Sequence, residues 1–317
     1  MRRRGIWLGR GMLGLAWLWS TAQAHSDPLD YRLEPVAIAP ATYLVAGVPE
    51  HFSRANGGNI ANTGFIVTGD GVVVIDTGPS KRYGEQLRAA IGKVTAAPIA
   101  RVYLTHHHPD HMFGNQAFAD VPIYALADTT ALARAQGEGF ADNMYRLVGD
   151  WMAGTHLQLP SRDVPAQRSE VTVGGHRLQF IPQGGHTEAD LAIFDATAKV
   201  LFAGNVFHRR APATPYSDLE AWIKALEELK AVDYDHLVPA VGPVIRGKGP
   251  LDAMIDYLSW LQDHLTRAAE AGLTTAEVLE LPIPEPFAQW AVAEGEYQRS
   301  VLFLYPELER QVLGVAP

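Results

Sequence analysis

The short stretch from Thr105 to His111 carries the pattern His106-x-His108-x-Asp110-His111, three imidazoles and a carboxylate within one turn's reach of each other. Neutral imidazole nitrogen is a preferred ligand for zinc, and a short carboxylate suits a second metal or a metal-bound water. His107 sits between the first two candidates, and an extended backbone would turn it away from a metal held by its neighbours. It reads as a structural or supporting histidine. A solvated histidine-rich loop is the plain alternative, and the position of the pattern argues against it. Residues 99–104 (IARVYL) read as a buried strand, so the metal-binding types begin where a rigid element ends.

The flanking chain alternates strand and helix signals. After an irregular entry over residues 27–41, a strand is expected from Tyr43 to Gly47, and the Gly- and Asn-rich residues 51–59 read as a mobile loop. Residues 63–68 and 72–75 around Gly69-Asp70-Gly71 predict a hairpin that ends in Asp76-Thr77-Gly78. Apolar spacing predicts a helix over 81–94, then the strand at 99–104, a short strand at 121–125, and helix over 128–152 broken near Gly137 and Gly139. A second hairpin follows at 170–173 and 176–181, then a loop at 184–190 containing His186. Strands at 191–194 and 200–203, a helix at 219–230 and a strand at 236–239 complete the core. A long helix over 251–271 stops at Gly272, and Thr274 with Glu277 has the form of a capping box. The last thirty residues read as an appendage. The expected organisation is a domain over 25–245 and a C-terminal helical extension over 246–317 packed on it.

Residues 1–24 stand apart. Arg2, Arg3 and Arg4 precede a short apolar run, and Ala22-Gln23-Ala24 forms a small-x-small cleavage site before His25. This predicts a signal peptide cleaved near Ala24, export to the periplasm, and no stable membrane insertion afterwards. Of the 317 residues, 47% are hydrophobic and 19% charged, enough to bury a sizeable core. Without the four arginines of the leader, 22 basic residues face 35 acidic ones, a net charge of −13. That acidity disfavours nucleic acid and anionic membrane as partners. The chain has no cysteine, so no thiolate is available as ligand or nucleophile and no disulfide staples the fold.

The order of motifs resembles the metallo-β-lactamase superfamily: Asp76-Thr77-Gly78 after a hairpin, the histidine motif after a strand, and Gly185-His186-Thr187 after a second hairpin. The resemblance covers roughly residues 43–242. It implies an α/β fold, an αββα sandwich of two similar halves, with a metal site along one edge. On that pattern His106, His108 and His186 would hold the first zinc, Asp110 and His111 would face a second metal position, and Asp76 would brace the loop. Within the superfamily the chain is similar to exported zinc metallohydrolases that accompany quinoprotein alcohol dehydrogenase systems and to sulfur-oxidation-associated members. Residues 56–65 (NGGNIANTGF), 149–155 (GDWMAGT), 210–215 (RAPATP) and 299–306 carry this narrower likeness.

Two departures bear on the metal count. Asn205 stands where the superfamily commonly places a bridging Asp, and Val241 stands where it commonly places the last His. One zinc per chain is therefore expected, a second needing help from Asn205, His208 or His236. The expected activity is hydrolysis of an ester, thioester or amide-like bond of a small molecule, with Asp110 as base or orienting group for water. Glu188 and Asp190 are candidates either to hold an imidazole N–H or to cap the next element, and His51 and Phe52 to line the cleft. A functional link to a periplasmic quinoprotein dehydrogenase is implied by the resemblance alone. Three other readings stay open: a β-lactam hydrolase, an iron dioxygenase acting on persulfides, and an accessory or binding protein with a degraded site.

Overall fold

Seven strands form the first sheet, in the computed structural model that describes residues 29–312 and 314. Along the chain they are β1 (Pro35–Ala39), β2 (Thr42–Val45), β3 (Thr63–Thr68), β4 (Gly71–Ile75), β5 (Ile99–Tyr103), β6 (Ile123–Leu126) and β7 (Arg162–Val164), and they lie in that same order. The first four run antiparallel, and β4 to β7 run parallel. Parallel neighbours need crossovers, which α1 (Lys81–Val94), the single turn α2 (Pro109–Met112) and α3 (Ala127–Val148) supply. The second sheet holds β8 (Ser169–Val173), β9 (His176–Gln183), β10 (Asp190–Asp195), β11 (Val200–Phe202) and β12 (His236–Val238), in the order β12-β11-β10-β9-β8. The helices α4 (Leu219–Lys230), α5 (Gly249–Glu270), α6 (Thr275–Leu279) and α7 (Ala293–Val312) follow. The described residues from Tyr31 onward belong to one compact unit.

Strand alternation explains the layers. Ile66, Val73, Ile75 and Tyr103 of the first sheet meet Leu178, Phe180, Leu191, Ile193 and Phe202 of the second in one buried core. The opposite face of the first sheet, which carries Phe65, Val72 and Val74, lies toward α1, where Tyr83 hydrogen-bonds Thr63 at 3.0 Å. On the other side of the second sheet, Ala192, Phe194 and Leu201 pack with Trp222 and Leu226 of α4, Leu258 and Leu261 of α5, and Tyr297 and Val301 of α7. The result is helix, sheet, sheet, helix. The C-terminal helices share the core of the second sheet, so their apolar stripe is buried rather than left facing water.

The structure corrects several local expectations. β1 and β7 occupy the two edges of the first sheet; they are short and half-exposed, so no alternating pattern marks them. Helix α3 runs unbroken through Gly137 and Gly139. Gly137 packs against Leu157, where a side chain would meet the leucine within 3 Å, while Gly139 faces open space. The segment at 51–59 is tied down rather than loose. Asn56 accepts from the amides of Ser53 and Gly58 and donates to His51 O, Tyr31 Oη donates to Gly57 O, and Trp151 Nε1 donates to Arg54 O. The capping box at Thr274 and Glu277 forms in full. The signal peptide expected over residues 1–24 lies outside the described residues. Among the described residues, no helix is long and apolar enough to cross a membrane.

Candidate metal centre

The centre begins with an aspartate in an unusual backbone state. Asp76, at the end of β4, has φ 58, a left-handed conformation that Asp tolerates better than most residues. Its carboxylate accepts from Thr105 N and from Thr105 Oγ1, both at 2.8 Å, and from His111 Nδ1 at 2.8 Å. One buried carboxylate thus clamps both ends of the histidine loop as it leaves β5. Thr105 Oγ1 also lies 3.0 Å from His106 Nδ1. With its hydroxyl proton given to Asp76, Thr105 accepts from His106, which leaves the His106 Nε2 lone pair free. Asp76 makes these contacts with loop atoms and sits beneath the loop, not among the clustered ring nitrogens.

Three ring nitrogens then converge. One ligand atom from each of His106, His108 and His186 lies within 4.8 Å of the others. His186 Nε2 is 2.9 Å from His108 Nδ1, and the Asn205 amide nitrogen is 3.0 Å from His106 Nε2 and 2.9 Å from His186 Nε2. An amide N–H₂ only donates, so His106 and His186 both present lone pairs to one point, which is what a shared cation requires. Burial holds the proton affinity of all three imidazoles well below the ordinary histidine range, and the neighbouring imidazoles push it further in the same direction. Neutral and clustered, with His106 and His186 buried and His108 partly so, they fit a divalent ion such as zinc.

His111 differs from the triad. Burial lowers its proton affinity, but the Asp76 and Asp110 carboxylates outweigh that and raise it overall. Its Nε2 has no hydrogen-bond partner among the described residues and lies 3.6 Å from Asp110 Oδ2. Asp110 and His111 are therefore adjacent, but they are not part of the converging triad. His107 turns away, as its place in the motif suggests, and its Nε2 lies 3.2 Å from Gln136 Oε1.

The second sheet delivers its residues on glycine-supported loops. Gly185 has φ 125, and a Cβ there would stand 2.4 Å from the Trp222 backbone, so only glycine lets the His186 loop pass α4. Gly204 does the same beside Thr105, with φ 53 and a Cβ that would meet the threonine side chain at 2.7 Å. Asp190 accepts from Thr187 N at 2.9 Å and Thr187 Oγ1 at 2.8 Å, so it closes the His186 loop on itself. Burial pushes its carboxyl up to about 7. Of the two roles weighed for Asp190, it takes the local cap. His186 Nδ1 has no partner among the described residues.

A cavity of about 160 Å³ opens beside the triad. His51, Phe52, Asp110, His186 and Asn205 line it, as do His208 and Arg210. His208 is buried with both ring nitrogens unpartnered among the described residues. His236 lies opposite Val200 at the far end of β12 from Asn205, and cannot serve this centre. Sequence reasoning assigned no role to Arg210, Glu296 and Arg299, which also line the cavity. The only sign of them was that Arg210 and Arg299 open two of the stretches behind the narrower family likeness.

Comparison with known proteins agrees with this architecture. The family described as Metallo-beta-lactamase superfamily matches residues 56–241. The linear primary-alkylsulfatase of Pseudomonas sp. (strain ATCC 19151) is 23% identical over 293 residues, covering 79% of this chain and 55% of that protein. The acyl-coenzyme A thioesterase MBLAC2 of Gallus gallus is 27% identical over 235 residues, covering 67% of this chain and 80% of that one. Among solved structures, a metallo-beta-lactamase from Pontibacter korlensis superposes with TM-score 0.59 at 22% identity, over 72% of this chain and 99% of its own. A double mutant of the sec-alkyl sulfatase PisA1 superposes with TM-score 0.68 at 17% identity, over 90% of this chain and 51% of its own. The chain spans little more than half the length of the bacterial alkylsulfatase.

Proposed function

Since this chain belongs to the metallo-beta-lactamase superfamily, we propose that it is a zinc-dependent hydrolase acting on an ester or thioester bond of a small molecule. The convergence of His106, His108 and His186 carries the reading: three neutral nitrogens at one point, with a fourth direction open to a cavity, form the donor set of a catalytic zinc. Zinc held there would polarise the scissile carbonyl and make water a competent nucleophile near neutral pH.

The chain's own residues divide the remaining work. Asp110 lines the cavity beside His108 and His186 and is the carboxylate available to take the proton of an attacking water. Glu296 lines the same cavity, but both its oxygens accept from Arg299, at 3.1 and 3.0 Å, so it is committed elsewhere. Asp76 fixes His111 and Thr105, and through Thr105 it fixes the tautomer of His106. Asn205 replaces a bridging carboxylate with a neutral amide, and Asp110 and His111 alone are a thin ligand set, which supports one metal per chain.

Alkyl sulfate hydrolysis is the second reading, supported by the alkylsulfatase likeness across 79% of the chain. The stretches at 56–65, 149–155, 210–215 and 299–306 support placing the protein beside the exported metallohydrolases of quinoprotein dehydrogenase systems, and the composition of residues 1–24 supports the periplasm as its site. The test is hydrolysis of 4-nitrophenyl acetate, an acyl thioester and an alkyl sulfate by the purified chain, before and after chelation. The expected result is turnover of at least one, lost on chelation and restored by zinc. Absence of any metal-dependent turnover would sink the hydrolase and leave the accessory-protein reading.

A further inference from the structure

The wall of the cavity supplied by α7 and by the loop after Asn205 sets two guanidiniums, Arg210 and Arg299, around one carboxylate, Glu296, while Asp110 attracts Arg210 from further across the cavity. Arg210 is 4% exposed, yet its one hydrogen bond among the described residues runs from Nη1 to Glu50 O at 2.9 Å. Its Nε is buried and has no partner among the described residues. The carboxylate nearest to it, Glu296, stands 3.9 Å from Arg210 Nη1 and is itself fully buried. Both oxygens of Glu296 are already engaged by Arg299, and His51 Nδ1 lies 3.4 Å from one of them. Among the described residues, two guanidiniums therefore share the one carboxylate within 4 Å, and the more buried of the two keeps an unused donor. A buried cation in this state calls for an anion, because the interior does not solvate it.

Position adds the second half of the case. Arg210, Arg299 and Glu296 line the same cavity as His108, His186 and Asp110. Phe52, Ile60 and Phe140 line it too and offer apolar surface without charge. A guanidinium fork suits the planar or tetrahedral oxygens of an oxyanion and presents paired donors to them. We infer that Arg210 and Arg299 form an oxyanion-binding subsite, positioned by Glu296, and that the ligand of this cavity is a small molecule with an apolar body and a sulfate or carboxylate group. Arg210 is the buried anchor and Arg299, whose side chain is 46% exposed, guards the mouth. The role of this ligand as substrate rests on the hydrolase reading above; its binding does not.

The experiment is calorimetric titration of the whole chain, freed of metal by a chelator, with hexyl sulfate, hexanoate and hexanol at constant ionic strength. Removing metal prevents a bound cation from capturing the anion in place of the arginines. The expected result is saturable binding of at least one anion about tenfold or more tighter than hexanol. Arg210→Gln should weaken it about tenfold and Arg299→Gln about threefold, with hexanol unchanged in both. Tighter hexyl sulfate identifies a sulfate ester as the ligand; tighter hexanoate identifies a carboxylate-bearing one. Hexanol binding as tightly as both anions, no anion binding at all, or unchanged affinity in both variants would overturn the subsite. Should Arg210→Gln fail to fold, the half-exposed Arg299→Gln decides alone. A chain that binds the anion through its arginines but hydrolyses nothing would support the subsite while sinking the hydrolase.

Discussion

The loop that follows β5 and the loops that follow β9 and β11 contribute to one centre, but they are built on different terms. The first is short and continuous, and a single carboxylate, Asp76, receives three of its donors. Among the described residues, its unpartnered buried ring atoms are His107 Nδ1 and His111 Nε2. The second side draws on separate loops and leaves more undone: His186 Nδ1, Asn205 Oδ1 and both nitrogens of His208 have no partner among the described residues. It contributes one imidazole to the triad and, at Asn205, a neutral amide. A braced half and a sparse half together make one three-nitrogen centre. Buried polar atoms without partners are uncommon in folded proteins, and His111 Nε2, Asn205 Oδ1 and both nitrogens of His208 are among those left so in the described residues.

Replacing a ligand on the braced side should have the largest effect. His108→Ala should lower metal-dependent hydrolysis by about 10³-fold or more, read as kcat/KM, because removing one of three nitrogens dismantles the site. Gly185→Ala strikes the opposite side through the backbone. Its positive φ and the clash with Trp222 should cost about 3 kcal/mol, measured as the loss of unfolding free energy in denaturant. Asp76→Ala leaves two Thr105 donors and His111 Nδ1 without their acceptor, for a loss of about 2 kcal/mol and a weakening of zinc affinity by about 10- to 100-fold. An equal zinc affinity in Asp76→Ala and wild type would show that the first loop holds itself. Asn205→Asp sharpens the comparison by returning a charge to the sparse side, and should tighten a second zinc by about tenfold in a competition titration. His236→Ala should leave metal content unchanged, since this residue sits at the far end of β12.

How much of this was readable beforehand follows from where the information lies in the chain. The histidine loop was legible because its ligands are contiguous and follow an apolar strand, so a local pattern carries the whole arrangement. Helices α1 and α4 were legible for the same reason, and their ranges in the structure match the periodicity, Lys81–Val94 and Leu219–Lys230. His186 was legible only through the order of motifs, since a lone loop histidine carries no signal of its own. The edge strands β1 and β7 escaped because short, half-exposed strands lack alternation. Arg210 and Glu296 stand 86 positions apart and meet only because α7 packs on the second sheet beside the cavity. No local pattern encodes that meeting, which is why the charged wall became visible only in three dimensions.

The central claim is a single metal held by His106, His108 and His186, and elemental analysis of the purified chain beside His186→Ala tests it most directly. The account predicts about one zinc per wild-type chain and almost none in the variant. Two zinc ions per wild-type chain, or zinc retained in full by His186→Ala, would contradict it.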